Sequence, residues 1–303
     1  MRVLITGDQG FIGSHLRKAY RKQNADVYGW DKKGISDNEK TVYPADMMDM
    51  DDAIRFLKKI SPDMIIHCAG SADVMRSIEE PIADMRVNYM ATESLLFALK
   101  KCGMADRRFM LLSSASVYGE PSMLPMDEMQ PINPLSPYAL HKWAAEEACV
   151  FMHKCHGMDV KILRIFSAYG PGLRKQLFWD MYQKIKNTGM LELWGSGEES
   201  RDYIYVDDLV RAVMLIADRA KKDDIYFNVA NGEEVTIRGA ALCFVEHMHV
   251  SKEMIKFVGK RREGEPINWK ADITRLQRLG YSRSVSFSEG IERYIQWADR
   301  SCG

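Results

Sequence analysis

The protein has 303 residues, of which 46% are hydrophobic and 28% charged, and its 42 basic and 42 acidic side chains leave a formal net charge of +0 at neutral pH. This composition is ordinary for a folded globular chain and excludes long disordered tracts. The charge balance excludes a global positive field, so we expect neither nucleic acid nor a membrane as a partner, and any phosphate-binding site must be local.

Short apolar runs alternate with amphipathic helical patterns through the first half of the chain. In chain order, the predicted strands and helices are Val3–Ile5, Phe11–Gln23, Asp26–Trp30, Asp49–Ile60, Met64–Ile66, Asp84–Lys101, Phe109–Leu112, Ser136–His156 and Val160–Leu163. Strands that alternate with helices form crossover units, and such units build a parallel sheet covered by helices on both faces. The sequence therefore predicts an α/β fold with a doubly wound, Rossmann-like parallel sheet.

The pattern becomes less regular after about Ser167, where glycine and proline interrupt shorter apolar segments. We predict further helices at Leu209–Arg219, from near Thr236 and from about Ser288. A smaller mixed lobe at the carboxyl-terminal end is therefore expected beside the sheet domain. The predicted organisation is a dinucleotide-binding domain over residues 1–166, with segments near 203–230 returning to it, and a substrate-binding lobe over residues 167–202 and 231–303.

A glycine-rich turn follows the first predicted strand, in the segment Thr6-Gly7-Asp8-Gln9-Gly10-Phe11-Ile12-Gly13. Glycines let the backbone approach a pyrophosphate, and the amino terminus of the next helix offers N–H groups and the positive end of its dipole. A glycine triplet alone also occurs in any tight strand-to-helix turn. Because strand, turn and helix follow in the required order, the pattern favours a dinucleotide site.

Asp31 ends the second predicted strand, 18 residues after Gly13. An acid about 20 residues beyond the glycines accepts hydrogen bonds from the adenosine ribose hydroxyls and repels a 2′-phosphate. The alternative is a solvated loop carboxylate, and Lys32 and Lys33 would reduce the repulsion. We therefore predict NAD, rather than NADP, as the cofactor.

Tyr138 and Lys142 are four residues apart on a predicted helix and so share a face. A nearby ammonium favours phenolate, so we expect Lys142 to lower the pKa of Tyr138 from its ordinary value near 10. Such a pair is usually only part of a helix surface. Ser114 follows an apolar strand, and ligands bind at the carboxyl ends of strands in open α/β sheets. The three side chains together make Tyr138 a candidate general acid and base for a hydroxyl group.

These motifs resemble the extended short-chain dehydrogenase/reductase superfamily, in its NAD-dependent nucleotide-sugar epimerase/dehydratase branch. The resemblance runs nearly from end to end and in the right order. The matching segments are Thr6–Gly13, Asp31, Pro44–Met47, Ile66–Gly70, Arg86–Tyr89, Ser113–Gly119, Tyr138–Lys142, Leu163–Phe166, Tyr169–Pro171 and Ser200–Asp208.

The resemblance implies a role for each catalytic residue. Tyr138 takes the proton from the C4 hydroxyl of a sugar, Lys142 holds the nicotinamide ribose, and Ser114 orients the substrate oxygen. Asn88 supports the active-site helix and a proton-relay water. The predicted cofactor-binding residues are Gly7, Gly10, Phe11, Ile12, Gly13, Asp31, Asp46, Met47, Ala69, Asn88, Tyr138 and Lys142.

The predicted substrate-binding residues are Ser114, Ser116, Ser167, Arg174 and Arg201. Arg201 matches a family arginine that reaches the substrate diphosphate, and a planar guanidinium suits bidentate phosphate recognition. Arg174 lies beside a glycine-rich turn, where it either contacts a phosphate or belongs to a solvated surface pair.

Two positions depart from the family pattern. Dehydratases carry an Asp-Glu pair directly after the serine position, where this chain has Ala115 and Ser116. Without those acids we do not expect 4,6-dehydration. Many members have an asparagine that contacts the substrate diphosphate where this chain has Ser167, so that contact is expected to differ.

We interpret the chain as a NAD-dependent nucleotide-sugar epimerase that acts at C4 through a 4-keto intermediate. Epimerisation regenerates NAD in each cycle, which agrees with Asp31. The alternative is a nucleotide-4-keto-6-deoxysugar reductase that consumes NAD(P)H and uses the same residues. A minor alternative is a non-catalytic dinucleotide-binding relative.

Two predicted helices, Asp84–Lys101 and Ser136–His156, are apolar over a wide arc, which is typical of helices buried on more than one side. Similar proteins pair these helices into a four-helix bundle between subunits, so we predict a homodimer. The apolar residues concerned are Leu95, Leu96, Phe97, Leu99, Trp143, Val150, Phe151 and Met152.

The six cysteines are scattered, without a CxxC pair, which favours reduced thiols. The apolar stretch within Met1–Thr6 is too short for the hydrophobic region of a signal peptide, so we expect a cytoplasmic protein. The histidines, including His67 and His141, lack a third ligand at metal-binding spacing, and we predict no metal site.

Overall fold

The computed structural model of the protein describes residues 1–31, 42–43, 47–259 and 267–302. Its strands are β1 (Arg2–Thr6), β2 (Asp26–Trp30), β3 (Val42–Tyr43), β4 (Met64–His67), β5 (Arg108–Ser114), β6 (Asp159–Ile165), β7 (Ser167–Tyr169), β8 (Leu191–Leu193), β9 (Ser200–Arg201), β10 (Tyr203–Tyr205), β11 (Tyr226–Val229), β12 (Val235–Thr236) and β13 (Ile255–Phe257).

The α-helices are α1 (Phe11–Lys22), α2 (Met50–Ile60), α3 (Val74–Glu79), α4 (Pro81–Met85), α5 (Ala91–Lys101), α6 (Pro137–His156), α7 (Gln176–Thr188), α8 (Val206–Arg219), α9 (Ile237–His247), α10 (Thr274–Arg278) and α11 (Phe287–Cys302). A π-helical turn over Arg86–Met90 joins α4 to α5, and short 3-10 turns cover Ala115–Tyr118 and Lys252–Met254. Among the described helices, none combines the length and the hydropathy that a membrane span requires.

The central sheet has seven strands in the order β11-β6-β5-β4-β1-β2-β3. Strand β1 runs parallel to both β2 and β4, and Ile5 lies opposite Gly29 on one side and Ile66 on the other. The chain therefore leaves β1 in one direction for β2 and β3 and in the other for β4 and β5. Ligands of open α/β sheets bind outside the carboxyl ends of the strands at such a reversal. The predicted doubly wound parallel sheet is confirmed.

The chain divides into two compact units. The first unit comprises Met1–Tyr118, Ile132–Arg164 and Val213–Phe227, and the second comprises Gly119–Pro131, Ile165–Ala212 and Asn228–Gly303. The returning segment of the first unit is shorter than the predicted 203–230. Residues 119–131 belong to the second unit, although the sequence analysis placed them in the first domain.

Helix α2 shows how the sequence builds the layer that covers the sheet. Its buried side chains recur at helical spacing, at Ala53, Phe56, Leu57 and Ile60, and the Phe56 ring meets the Trp30 ring of β2 edge-on at 5.1 Å. The helix begins after residue 49, whose carboxylate accepts the N–H of residue 52 at 3.1 Å, and ends at residue 61 in the left-handed conformation. Cap and apolar face together fix α2 against the sheet.

The prediction of a single helix over Asp84–Lys101 is wrong in one respect, because a π-helical turn interrupts the α-helix between Met85 and Ala91. The backbone stays in the right-handed helical region at both junctions, so the apolar pattern does not reveal the extra residue. Asn88 lies buried in this turn, and its side-chain amide donates to the carboxylate of Asp84 at 2.8 Å. Such π turns are frequent at functional sites.

In the second unit, Asp202 ties together segments that are distant in sequence. Its carboxylate accepts backbone N–H bonds from Asn231 and Gly232 at 2.9 Å each and from Ala271 at 3.1 Å. Asp202 lies between β9 and β10 and is fully buried. The three N–H donors replace the water that this carboxylate loses on burial.

Candidate active site

The loop between β1 and α1 is packed too closely for side chains at its glycines. A Cβ on Gly13 would lie 2.2 Å from the carbonyl oxygen of Gly7, and a Cβ on Gly7 would lie 2.8 Å from the Cα of Ala69. Gly7 also has a φ of 66°, in the left-handed region that favours glycine. Helix α1 begins directly after Gly10, which has no side chain to cap the first N–H groups. Those backbone amides suit a phosphate group.

A cavity of about 330 Å³ opens beside this loop within the first unit. Its size lies in the range of small-molecule sites. The predicted cofactor residues that line it are Gly7, Gly10, Asp31, Met47 and Ala69. The glycine cradle and the cavity together fit a dinucleotide.

The other predicted cofactor residues divide into three groups. Phe11, Ile12 and Gly13 form the first turn of α1, where their N–H groups point toward the helix start. Asn88 belongs to the π turn. Asp46 lies outside the described residues.

Asp31 directly follows β2, and its carboxylate accepts the backbone N–H of Gln9, in the glycine-rich loop, at 3.4 Å. Sequence analysis missed the carboxylate beneath it. Asp8 is fully buried, pairs with Arg17 at 3.1 Å, and fills the space that a Cβ on Gly29 would need. Burial raises the pKa of Asp8, and the Asp31 carboxylate adds to that rise. The carboxylates of Asp8 and Asp31 therefore both lie near the carboxyl end of β2.

The three predicted catalytic side chains come together in the first unit. Ser114 is the last residue of β5, and its hydroxyl favours the ionised form of Tyr138, which is buried near the start of α6. The hydroxyl of Ser116 donates to the Ser114 oxygen at 2.9 Å. The Lys142 ammonium donates to the carbonyl of Leu112, on the same strand as Ser114, at 2.6 Å. Strand β5 thus positions Ser114 directly and Lys142 through the Leu112 carbonyl.

The pKa of Tyr138 differs from the sequence prediction. Burial raises it to about 12, the Ser114 hydroxyl opposes the rise, and the negative charge of Asp84 adds to it. Burial likewise lowers the pKa of Lys142 to about 8. The predicted lowering of the Tyr138 pKa by Lys142 is therefore wrong for the protein alone. The reason is that burial disfavours the charged forms of both groups, and the groups that act on the Tyr138 pKa are Ser114 and Asp84, not Lys142.

Sequence analysis also missed a buried network behind Tyr138. The Nδ1 atom of His141 lies 2.7 Å from the carboxylate of Asp84, which also accepts from Asn88. The oxygen of the Asn88 side chain accepts the backbone N–H of Ser71 at 3.1 Å. The available signal was the spacing of Asp84 and Asn88, four residues apart on one helical face.

The predicted substrate residues Ser167, Arg174 and Arg201 belong to the second unit. The Arg201 guanidinium donates to the carbonyls of Ser200 at 2.7 Å and Ile267 at 3.1 Å, and lies over the Trp269 ring at 5.5 Å. These contacts hold the Arg201 side chain against its own strand, β9, and against the segment that contains Ile267 and Trp269.

Arg174 makes different contacts in the same unit. It donates to the carbonyl of Ser301 at 3.1 Å and lies 5.8 Å from the ring centres of both Trp179 and Trp297. These contacts fix Arg174 beside helix α11. They account for its position without a phosphate, so its substrate role stays a prediction.

His67 has a structural role. Its ring nitrogens lie 2.7 Å from the Thr6 hydroxyl and 3.0 Å from the Thr92 hydroxyl, and burial lowers its pKa to about 3. Within residues 1–31, 47–259 and 267–302, no three side chains of His, Cys, Asp or Glu are grouped to hold a metal ion.

Comparison with known proteins gives a consistent result. Residues 3–230 match the model of the NAD dependent epimerase/dehydratase family. A protein of Methanocaldococcus jannaschii described as a putative UDP-glucose 4-epimerase is 31% identical over 315 residues, which cover 97% of each chain. Several dTDP-glucose 4,6-dehydratases of Streptomyces are also related to this chain.

Solved structures extend the likeness to the whole fold. The UDP-glucose 4-epimerase of Thermotoga maritima, solved with UDP-glucose, superposes with a TM-score of 0.91 at 26% identity and full coverage of both chains. MoeE5, solved with UDP-glucose and NAD, superposes with a TM-score of 0.89 at 28% identity, again over the full length of both.

Proposed function

The chain belongs to the NAD-dependent epimerase/dehydratase family, and from that premise we propose that it is a nucleotide-sugar epimerase acting at C4. The family membership makes it an enzyme of nucleotide-sugar chemistry that uses NAD. The relatives that act as 4-epimerases support the finer assignment.

The observation that carries the proposal is that Ser114 ends the strand to which the Lys142 ammonium is bonded, through the Leu112 carbonyl, and acts on the buried Tyr138 hydroxyl. Ser114 orients the sugar oxygen, and Tyr138 removes the proton from that hydroxyl and later returns it. Lys142 binds the nicotinamide ribose. The chemistry that NAD supplies when bound is hydride transfer: the hydride leaves C4 for the cofactor and returns to the opposite face of the 4-keto sugar.

The glycine cradle and Asp31 hold the other end of the cofactor. Backbone amides of the loop and of the start of α1 bind the pyrophosphate, because no side chain at Gly7, Gly10 or Gly13 keeps it away. The Asp31 carboxylate accepts from the ribose hydroxyls.

Dehydration is disfavoured by the residues beside Ser114. Ala115 is fully buried, and the Ser116 hydroxyl donates to Ser114. Neither position offers a carboxylic acid to eliminate water from a sugar. Oxidation at C4 with return of the hydride therefore fits the site better than 4,6-dehydration.

A screen with product analysis tests the proposal. The purified protein is incubated with UDP- and dTDP-linked hexoses and hexuronic acids, and product stereochemistry is read by NMR. We expect inversion at C4 without net consumption of cofactor, and an absorbance spectrum that shows nicotinamide retained by the protein.

Other outcomes of the screen assign other functions. Turnover of a 4-keto-6-deoxysugar with stoichiometric consumption of NAD(P)H would replace the epimerase with the reductase. Tight NAD binding without turnover of any sugar would make the protein a non-catalytic relative. The matched control is Tyr138→Phe, which must bind NAD as the wild type does.

A further inference from the structure

Asp84 and His141 form a buried pair directly behind the catalytic tyrosine. The Nδ1 atom of His141 lies 2.7 Å from one Asp84 oxygen, and the Asn88 amide nitrogen lies 2.8 Å from the other. Asp84 and His141 are both buried. An ionised carboxylate only accepts, so the proton of the first bond is assigned to Nδ1 of His141.

The pair is placed to act on Tyr138. His141 is three residues after Tyr138 and directly before Lys142 on α6, so it extends from the catalytic helix itself. Asp84 lies on α4, which packs against α6, and it also lines the cavity. The negative charge of Asp84 raises the pKa of Tyr138.

The same network reaches the wall of the cavity through Asn88. Its side-chain oxygen accepts the N–H of Ser71, and a Cβ on Gly70 would lie only 2.5 Å from that oxygen. Gly70 and Ser71 both line the cavity. One buried chain of hydrogen bonds thus links the catalytic helix, the π turn and the loop after β4.

We propose that Asp84 and His141 are a positioning pair, which holds Tyr138 in the orientation for proton transfer and sets the electric field in which its hydroxyl ionises. This inference rests on the proposed function and assigns a role that the glycine loop and the Ser114, Tyr138 and Lys142 set do not include. The pair acts through Tyr138 and does not itself touch the sugar.

The field at Tyr138 has several sources. Helix α4 contributes Asp84, strand β5 contributes the Ser114 hydroxyl, and helix α3 contributes the Ser77 hydroxyl, which accepts the Tyr138 backbone N–H at 3.1 Å. Helix α6 itself carries His141 and Lys142.

Further groups act on Lys142 rather than on Tyr138. They comprise Glu146 and Cys149 of α6 and Cys68, which follows β4. Asp84 acts on both Tyr138 and Lys142, so replacing it lowers the pKa of each and leaves Glu146 and both cysteines in place.

Four variants of the full-length protein test the proposal. His141→Leu removes the donor to Asp84, and His141→Asn keeps an N–H donor close to the position of Nδ1. Asp84→Asn removes the negative charge. Lys154→Gln, a charge change at an exposed position on the same helix, is the matched control.

We expect His141→Leu to lower kcat at least tenfold with KM within about twofold, because a misplaced tyrosine affects the transition state more than substrate binding. His141→Asn should recover most of that loss. Asp84→Asn should move the ascending limb of the kcat/KM profile to lower pH by roughly one unit, because phenolate forms more easily without the neighbouring charge. Lys154→Gln should match the wild type.

A second measurement does not depend on activity. Hydrogen exchange at the Ser71 amide should be at least tenfold faster in Asp84→Asn than in Lys154→Gln. The carboxylate accepts from His141 with one oxygen and from Asn88 with the other, whereas an amide has a single acceptor oxygen, so the Asn88 side chain that holds Ser71 is less firmly fixed.

The proposal is overturned if the His141 and Asp84 variants keep the wild-type pH profile and lose activity only in proportion to their folded fraction. It is also overturned if exchange at Ser71 is unchanged in Asp84→Asn. Failure of the proposed function gives a different result, namely no turnover by the wild type with any nucleotide sugar, and in that case the exchange measurement still decides whether the network exists.

Discussion

The buried hydroxyl of Tyr138, near the start of α6, is acted on by the hydroxyl of Ser114 at the carboxyl end of β5, which favours the ionised form of the phenol and so lowers its pKa. These are the only two hydroxyl groups of the predicted catalytic set, and both lie in the first unit. Ser114 stands at the carboxyl end of its strand, which is where ligands of α/β sheets bind.

We expect Tyr138→Phe to fold normally, bind NAD and lose turnover by about 10²- to 10⁴-fold, the usual contribution of a general acid and base. The measurement is kcat on the sugar identified by the screen, together with the melting temperature. Tyr182→Phe, which removes a hydroxyl bonded to Asp299 in the second unit, is the control and should retain activity. Activity of Tyr138→Phe within a few-fold of wild type would contradict the assignment.

Lys142 makes stability depend on pH. Its pKa is about 8 in the folded protein against an ordinary value of 10.5, so between these values the unfolded chain binds more protons and stability rises with pH. Stability that is fully present above 10.5 is lost as the pH falls through 8.

The free energy of unfolding of the wild type, measured by urea, should therefore rise relative to Lys142→Met by roughly 1 kcal/mol per pH unit between pH 8.5 and 9.5. A difference between the two proteins that stays constant from pH 7.5 to 9.5 would show that burial does not lower the pKa of Lys142.

Asp31 should make the protein prefer NAD to NADP. The carboxylate lies on the cavity wall beside the glycine loop, where it repels a 2′-phosphate. Asp31→Ala is expected to narrow the ratio of the two dissociation constants by about tenfold, or 1.4 kcal/mol. Asp26→Ala, at the exposed start of the same strand, is the control. Asp31→Ala still contains the Asp8 carboxylate, so we expect this variant not to prefer NADP. A wild type that prefers NADP would refute the cofactor assignment.

We predict that the protein is a homodimer, on narrower grounds than the sequence suggested. Most of the apolar residues cited for this are buried in the protomer's own core, namely Leu95, Leu96, Leu99, Val150 and Met152. The prediction now depends on Phe97 and Trp143, which are half-buried, and on Phe151, which is 48% exposed.

Light scattering should give twice the mass of the 34.7 kDa chain at micromolar concentration. Phe151→Glu should give the monomer mass, because a carboxylate at the centre of an apolar interface costs more than it gains. Met129→Glu, at a side chain 73% exposed in the second unit, should remain dimeric. A monomeric wild type would end the dimer hypothesis.

Arg201→Ala should weaken binding of the sugar nucleotide by roughly tenfold or more, since a charge-assisted phosphate bond is worth about 1.5 to 3 kcal/mol. The affinity for NAD and the melting temperature should change little. Arg238→Ala, which removes a guanidinium paired with Glu198 on the surface of the same unit, is the control, and titration calorimetry measures both. If substrate affinity holds while stability falls, the bonds from Arg201 to Ser200 and Ile267 are its whole role.

Sequence periodicity predicts the elements whose signals are local. The strand at Val3–Ile5, the helix from Phe11 and the strand at Asp26–Trp30 all stand as β1, α1 and β2 in the structure. Helix α7 was overlooked although its buried residues Phe178, Met181, Tyr182 and Ile185 have helical spacing. The sequence therefore does contain the local signal that predicts this helix.

Other features depend on contacts that no local pattern contains. The pair of Asp84 and His141 joins residues 57 positions apart, and the π turn around Asn88 is stabilised by bonds to Asp84 and to Ser71. The direction of the Tyr138 pKa shift follows from burial, which the spacing of Tyr138 and Lys142 does not report. The glycine loop and the candidate catalytic residues can be predicted because their order along the chain is itself the signal.

The interleaving of the two units along the chain has a consequence for synthesis on the ribosome. The last segment of the first unit is Val213–Phe227, whereas the second unit draws on everything from Asn228 onward. A nascent chain therefore carries the complete glycine loop and catalytic trio while the partners of Asp202 at Asn231, Gly232 and Ala271 are still to be translated. Since chains are synthesised at about 5–20 residues per second, the Asp202 carboxylate waits several seconds for its amide donors, so the second unit completes its buried bonds only after the first unit has been fully synthesised.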